Sequence, residues 1–291
     1  MNSLVLGQTH LPNFFAMNHQ KNLLGLICLF VIVLSSCKED FPVNANKTNF
    51  KIPVVIQKKT DDTIGYFKAI SISDAHNRYE GKRKFCDTLD INISRHKDSL
   101  EKSDYVSGRD VWRADTFGYD GLELFPDYSS TIIRDDLLHE QLKNYYPVYI
   151  VNQTPNFKFI IGKDSHVFAI QEAIDTAGHW RPIEGRGFDF CGFGYWGVKI
   201  HPQEFVTILM PRYEGEFKTK LRVRVKIGNM IYISKSFTGK IDERQFYIDE
   251  EDYFFSEFKR DNVNTIQHIF YGAIPAQMDN ADFGLHALIT Q

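Results

Sequence analysis

Five cations occupy alternate positions near residue 222: Lys218, Lys220, Arg222, Arg224 and Lys226. Between and around them stand Phe217, Thr219, Leu221, Val223, Val225 and Ile227. Successive side chains of a strand point to opposite faces, so this segment has one basic face and one packing face. A row of cations suits an anionic glycan, an envelope phosphate or an acidic protein. It equally suits a solvated sheet face with carboxylates on the next strand, which is the simpler reading. Two Gly-rich segments add aromatics: residues 178–184 carry Trp180, and residues 189–197 carry Tyr195 and Trp196. These rings could stack on a sugar or plug the end of a β-sandwich.

Catalytic patterns are thin. A hydrolase of an extracellular polymer would use Glu184, Asp189 and His201, because glycoside hydrolysis needs two carboxylates flanking the bond. His139-Glu140 lacks the second His, four residues on, of a zinc helix. His166, His179 and His201 have no ligand spacing. Asp164 and Asp175 lack the oxygen-rich repeat of a calcium loop. Neither a nucleophile elbow nor a phosphate-binding Gly loop occurs. The expectation is no metal, no cofactor and no catalytic residue.

The elements that must position these residues read as strands. Residues 148–152, 157–161, 167–173, 196–200, 205–210, 217–227, 231–237 and 245–248 are short apolar runs separated by turn residues. Many short strands at regular spacing imply a sandwich or barrel. Earlier, Phe50, Ile52, Val54 and Ile56 share one parity, as do Phe85, Leu89, Ile91 and Ile93. Between the two regions, Leu138, Leu142 and Tyr145 fall at helical spacing, with Asp135 and Asp136 in the first turn, Lys143 in the last and Pro147 as a stop. This spacing predicts a helix over 134–146. Register at Gly228-Asn229 should keep apolar sets together, so a three-residue loop or bulge is expected, pairing Ile227 with Ile231 and Val225 with Ile233. Residues 249–291 read as an extension, with a short helix near 263–271.

The first 49 residues have a different character. Lys21 precedes an unbroken apolar run over 23–34, followed by Leu34-Ser35-Ser36-Cys37. A basic flank, a short apolar core and small residues before a cut are marks of a secretory signal. The run is too short to span a bilayer, which takes about 20 apolar residues. Met17 makes the more compact start. The tetrapeptide resembles a bacterial lipobox, which implies cleavage before Cys37 and lipidation of its thiol with palmitate-type chains. Several acyl chains anchor stably, at about 0.8 kcal/mol per buried methylene. Lys38-Glu39-Asp40 resembles the signal that sends lipoproteins of the Bacteroidota to the outer face of the outer membrane.

Composition agrees with an exported β protein. The chain has 291 residues, 14% of them aromatic, including 24 Phe and 14 Tyr, which pack well on pleated surfaces. Its net charge of −3 argues against nucleic acid as a partner, since a basic footprint is absent. With Cys28 in the leader and Cys37 lipidated, Cys86 and Cys191 remain. An oxidising compartment permits a bridge between them or two separate thiols.

Residues 147–248 resemble uncharacterised secreted proteins of the Bacteroidota. The resemblance rests on Trp180-Arg181-Pro182-Ile183-Glu184, Cys191-Gly192, Tyr213 and the run from Gly215 to Arg222, covers about a third of the chain, and carries no activity. The Asp-Ser/Thr-apolar triplets at Thr63, Thr88, Ser99 and Thr176 resemble O-glycosylation sites of the same group, and ordinary turn chemistry also explains them. The expected organisation is a signal peptide (1–36), a lipidated tether (37–49), a smaller β-containing region (50–133), a linking helix (134–146), an immunoglobulin-like β-sandwich (147–248) and an extension (249–291). The expected function is a non-catalytic binding or accessory module, lipid-anchored in the outer membrane and facing a glycan or envelope protein. A polymer hydrolase and a structural subunit of an envelope complex are the alternatives.

Overall fold

Residues 142–152 and 204–211 are apolar at both parities, and a strand of that kind must be covered on both faces. They form β8 (Leu142–Asn152) and β15 (Glu204–Pro211), paired antiparallel with Phe205 opposite Val151 and Leu209 opposite Pro147. β3 (Arg78–Lys84) flanks β15. β6 (Leu122–Pro126) and β7 (Ile132–Asp135) share the far edge of β8. This computed structural model describes residues 50–60, 62–92, 104–107, 120–135, 141–187 and 193–279. The leader, Cys37, the Lys38-Glu39-Asp40 signal, Ser99, Asp189 and Cys191 lie outside the described residues.

Each face of this central sheet has its own cover. Tyr146, Val148 and Ile150 of β8, with Val206, Ile208 and Met210 of β15, pack against two further sheets. One is β11 (Ala169–Ile174), β12 (Trp180–Pro182), β16 (Phe217–Ile227), β17 (Met230–Ile233) and β18 (Phe237–Ile241), in the order β12-β11-β16, with β17 and β18 sharing the outer edge of β16. The other is β10-β9-β14-β5, made of β5 (Tyr105–Ser107), β9 (Lys158–Lys163), β10 (His166–Val167) and β14 (Tyr195–Ile200). The opposite face, with Tyr145, Tyr149, Val151, Phe205 and Leu209, meets Phe67, Leu89, Ile91, Ile183 and Tyr213. Two small parallel pairs complete the architecture: β1 (Val54–Ile56) with β4 (Thr88–Asp90), and β2 (Ser73–Asp74) with β13 (Glu184–Gly185). The protein is mainly β, with stacked sheets.

A third layer covers part of the β11–β16 sheet. α1 (Tyr253–Arg260) starts at Asp252, whose carboxylate accepts the Phe254 N–H, and α2 (Asn262–His268) starts at Asp261, which accepts that of Asn264. Such caps contribute about 1 kcal/mol each. Phe254, Phe258, Ile266 and Phe270 pack with Ile170 of β11. The short helix expected near 263–271 is therefore present, preceded by another.

Where residues 134–146 are described, they are strand, at 134–135 and 142–146, and not the expected helix. Residues 132–135 and 142–152 are the two arms of a β-hairpin, with Asp135 opposite Leu142. Burial on both faces of β8 removes the alternation that marks a strand and leaves an apolar spacing that imitates a helix. Pro147 sits inside β8 because its missing N–H falls at a seam. Its carbonyl accepts the Asp127 N–H at 2.9 Å, on the edge where β7 ends and β6 begins. Residues 243–246 form a 3-10 turn closed by an Asp242–Gln245 capping box, in place of the strand expected over 245–248. The earlier and later regions also share sheets: β3, β6 and β7 join β8 and β15, and β5 joins β14.

The β16–β17 hairpin corrects the expected register. Ile231 lies opposite Lys226 and Ile233 opposite Arg224, so Gly228-Asn229 is a strict two-residue loop. Gly228 has φ of +56°, as the first central residue of such a loop requires. The deciding side chain is Tyr232, which packs on the core and turns its neighbours Ile231 and Ile233 outward, 38% and 46% exposed. Ser in place of Ile231 or Ile233 should change unfolding free energy by less than about 0.5 kcal/mol. Tyr232→Ser should cost roughly 2 kcal/mol. Urea denaturation of the three variants distinguishes this register from the three-residue alternative, which reverses the ranking.

Candidate functional site

The inward side chains of β16, Leu221, Val223, Val225 and Ile227, are buried, which fixes Lys218, Lys220, Arg222, Arg224 and Lys226 on the outer face. Neighbouring strands decide what each cation meets. Glu172 of β11 lies opposite Arg222 and is almost fully buried. Its Oε2 accepts from Arg222 Nε at 2.8 Å, and its Oε1 accepts from Arg222 Nη2 at 3.0 Å and Arg224 Nη2 at 3.1 Å. Arg224 also donates to the Tyr271 carbonyl at 3.2 Å. Breaking one partner of a buried pair of this kind typically costs about 3–5 kcal/mol. Arg222 and Arg224 are thus held in place as much as they are displayed.

Trp180 joins this row. Its ring lies 4.1 Å below the Arg222 guanidinium, which is clamped between the indole and Glu172. This aromatic and the basic row, separate in the sequence, form one surface. Lys218, Lys220 and Lys240 lie beyond it, all exposed. Lys218 stands directly opposite Lys240, a like-charge pair that works against strand pairing. Lys220 Nζ reaches Thr238 Oγ1 at 3.2 Å, and Lys240 is 3.9 Å from Glu216. The Lys240–Glu216 pair is solvated on both sides and contributes little. Sheet-face neutralisation, the simpler expectation, holds for the arginines and leaves a lysine cluster exposed.

The other aromatics lie elsewhere. Trp196 is buried, donates from Nε1 to the Asp164 carbonyl at 2.8 Å, and packs against Tyr79, so it fills the sandwich. Tyr195 is half-buried under the Lys163 ammonium, 5.0 Å from its ring. Thr63, Thr88 and Thr176 are exposed, and Cys86 is a free, half-buried thiol.

Glu184 and His201 belong to separate networks. Glu184 is fully buried. It accepts the Gln171 N–H at 2.8 Å, Gln171 Nε2 at 2.9 Å and the Tyr213 hydroxyl at 2.7 Å. Burial pushes its carboxyl up to about 7, against those three donors. His201 Nε2 lies 2.9 Å from Asp104, and Lys82 bridges Asp104 at 2.9 Å and Glu204 at 2.7 Å. A polymer cannot reach Glu184 in this arrangement. A cleft of about 660 Å³ opens beside Phe217, lined by Glu214, Glu216, Asp242 and Glu243; Lys68 lies 3.3 Å from Glu214 and Arg244 2.6 Å from Asp242. Hydrogen bonds from Arg244 hold Asp242 down at about 2, which removes it as a proton donor at neutral pH.

Asp175, His179 and Asp279 have ligand atoms within 4.8 Å of one another. Arg181 fills that space, with Nε on Asp175 at 2.8 Å and Nη2 on Asp279 and 3.2 Å from His179. Burial alone would raise the Asp175 carboxyl; Arg181 and two backbone N–H groups outweigh it and hold it below its ordinary value. The guanidinium stands where a metal would. Sequence reasoning missed this cage, the Lys82 cluster and Lys240, since each joins residues far apart in the chain. The chain matches no protein-family model, no curated protein and no solved structure.

Glu184 makes stability depend on pH. Its carboxyl keeps its proton to about pH 7 when folded and loses it near the ordinary 4.5 when unfolded. Stability is therefore fully present below that lower value and falls as pH rises toward 7, by up to about 1.4 kcal/mol per pH unit. Glu184→Gln should flatten that slope in urea titrations at pH 5, 6 and 7. A slope unchanged in the variant would assign the dependence to another group.

Proposed function

We propose that this chain is a lipoprotein tethered through Cys37 at the outer face of the outer membrane, and that it is a non-catalytic module binding an acidic glycan of the envelope. The binding surface is the outer face of β16 and β18. The observation that carries this reading is the cluster of Lys218, Lys220 and Lys240, exposed side by side, while Glu172 is committed to Arg222 and Arg224. Like charges placed opposite one another weaken a sheet, and an anionic ligand reverses the sign of that effect. Trp180, stiffened by Arg222, offers an aromatic edge beside the cations for a sugar ring.

The buried position of Glu184, beyond the reach of a polymer, disfavours the hydrolase reading. A second reading, docking on an envelope protein, draws on Ile52, Val54 and Ile56, which are all exposed along and just before β1 while Val55 packs inward. Among the described residues no helix is long and apolar enough to cross a membrane.

Charge reversal tests the binding face. Lys218→Glu/Lys220→Glu/Lys240→Glu should reduce retention on a uronate- or sulfate-bearing polysaccharide at least ~10-fold at low salt, with the unfolding midpoint little changed. Retention equal to the parent protein would remove the glycan reading. Palmitate labelling lost in Cys37→Ala tests the anchor separately.

A further inference from the structure

β17 ends its sheet, a place where charged side chains usually guard against stray pairing. Its outward side chains are instead Ile231 and Ile233, both exposed. The register sets them directly opposite Lys226 and Arg224, and cross-strand partners share a face. On β18 the outward partners are Thr238 opposite Lys220 and Lys240 opposite Lys218. One outer face therefore runs from two isoleucines to the lysine cluster. Arg224 and Arg222 lie between, held by Glu172, with Trp180 against Arg222.

That face is amphiphilic, and folding does not require it to be. A strand favours β-branched residues, but threonine, as at exposed Thr238, meets that preference without presenting a wholly apolar side chain. Inward packing on β17 comes from Tyr232, so neither isoleucine is needed for the core. Single exposed apolar residues are ordinary on any protein. These two differ in standing at alternate positions on one face, each beside a cation. Arg224 and Lys220 are four residues apart on β16, which puts the isoleucine edge roughly 13 Å from the lysine cluster. A headgroup of a few sugars bridges that distance.

We propose that the acidic glycan bound by this face is membrane-borne, an anionic glycolipid. Its phosphate or carboxylate groups meet the cations, while Ile231 and Ile233 enter the boundary between headgroups and acyl chains. The inference rests on the glycan-binding reading and adds the lipid to it. Binding at a membrane interface combines buried apolar area with attraction to anionic lipid, and this face carries both. Trp180, apolar in its ring and polar at its N–H, stands beside the cations and suits the sugar layer between.

Vesicle flotation tests it on the full chain, with Cys37→Ala in every sample so that no acyl chain of the protein's own contributes. One probe is phosphatidylcholine vesicles containing lipopolysaccharide. Vesicles of phosphatidylcholine alone give the baseline for the apolar run 23–34, and deacylated lipopolysaccharide in solution gives the glycan without its lipid. Ile231→Ser/Ile233→Ser should weaken binding to the lipopolysaccharide vesicles at least ~10-fold, through the apolar area withdrawn from the interface. Affinity for the deacylated glycan should stay unchanged. Both positions face solvent and tolerate serine, which matched urea midpoints verify. Equal vesicle binding by variant and parent overturns the inference and leaves the glycan reading standing. Equal binding of the parent to sugar-free phosphatidylglycerol vesicles also overturns it, and assigns the face to any anionic membrane. A parent that binds neither the deacylated glycan nor the lipopolysaccharide vesicles above baseline removes the glycan reading, and this inference with it.

Discussion

The pairing of β8 with β15, buried on both faces, is the constraint on which the rest depends. A strand pair with Tyr, Val, Ile and Phe at both parities cannot face water on either side. It therefore demands a sheet above and a mixed layer below. Full burial of each such side chain is worth about 1.5–3 kcal/mol, and the pair concentrates many of them in one place. The sheet that answers this demand on one side presents its own outer face to solvent, and that face is the basic row. Inner packing of Leu221, Val223, Val225 and Ile227 thereby aims the cations, because a one-residue slip would bury them.

Buried polar groups add a second level of definition. Glu172 is satisfied by two arginines, Glu184 by Gln171 and Tyr213, and Asn152 by carbonyls at residues 156 and 200. Each network holds its heavy atoms in one arrangement, since an unpaired buried charge is far more costly than an unpaired surface one. The Ser73 hydroxyl lies 2.9 Å from that of Tyr213, which extends the Glu184 network to a half-exposed residue. That chain of hydroxyls lets Glu184 be satisfied both ionised and neutral, because each O–H can reverse. Where cations gather without buried partners, at Lys218, Lys220 and Lys240, the contacts are solvated and contribute little internally, and an anion from outside the chain is the partner we propose for them.

Strands with one wet face were legible in the sequence, and β16 spans residues 217–227 as its alternation implies. Strands dry on both faces were not. The early half of β8 imitates a helix because the spacing of Leu142 and Tyr145 has a helical reading once Tyr146 is ignored. The hairpin register misleads for a related reason: two isoleucines outweigh one tyrosine in the pattern, whereas the larger ring decides the packing. Trp180, Arg222 and Arg224 were visible as candidates, but their common surface depends on Glu172, a residue about fifty positions away that pattern alone does not flag. Cross-strand partners separated by a crossover leave no local trace, and the Arg181 and Lys82 cages share that property.

Lysine reactivity in the native envelope tests the binding face even while the ligand is unidentified. Cells carrying the protein would be acetylated briefly with a membrane-impermeant reagent and read by mass spectrometry, beside purified protein treated identically. A ligand-covered face predicts slower acetylation of Lys218, Lys220 and Lys240 on cells than in the purified protein, with the exposed Lys84 equal in both. Equal rates at all four lysines would contradict it.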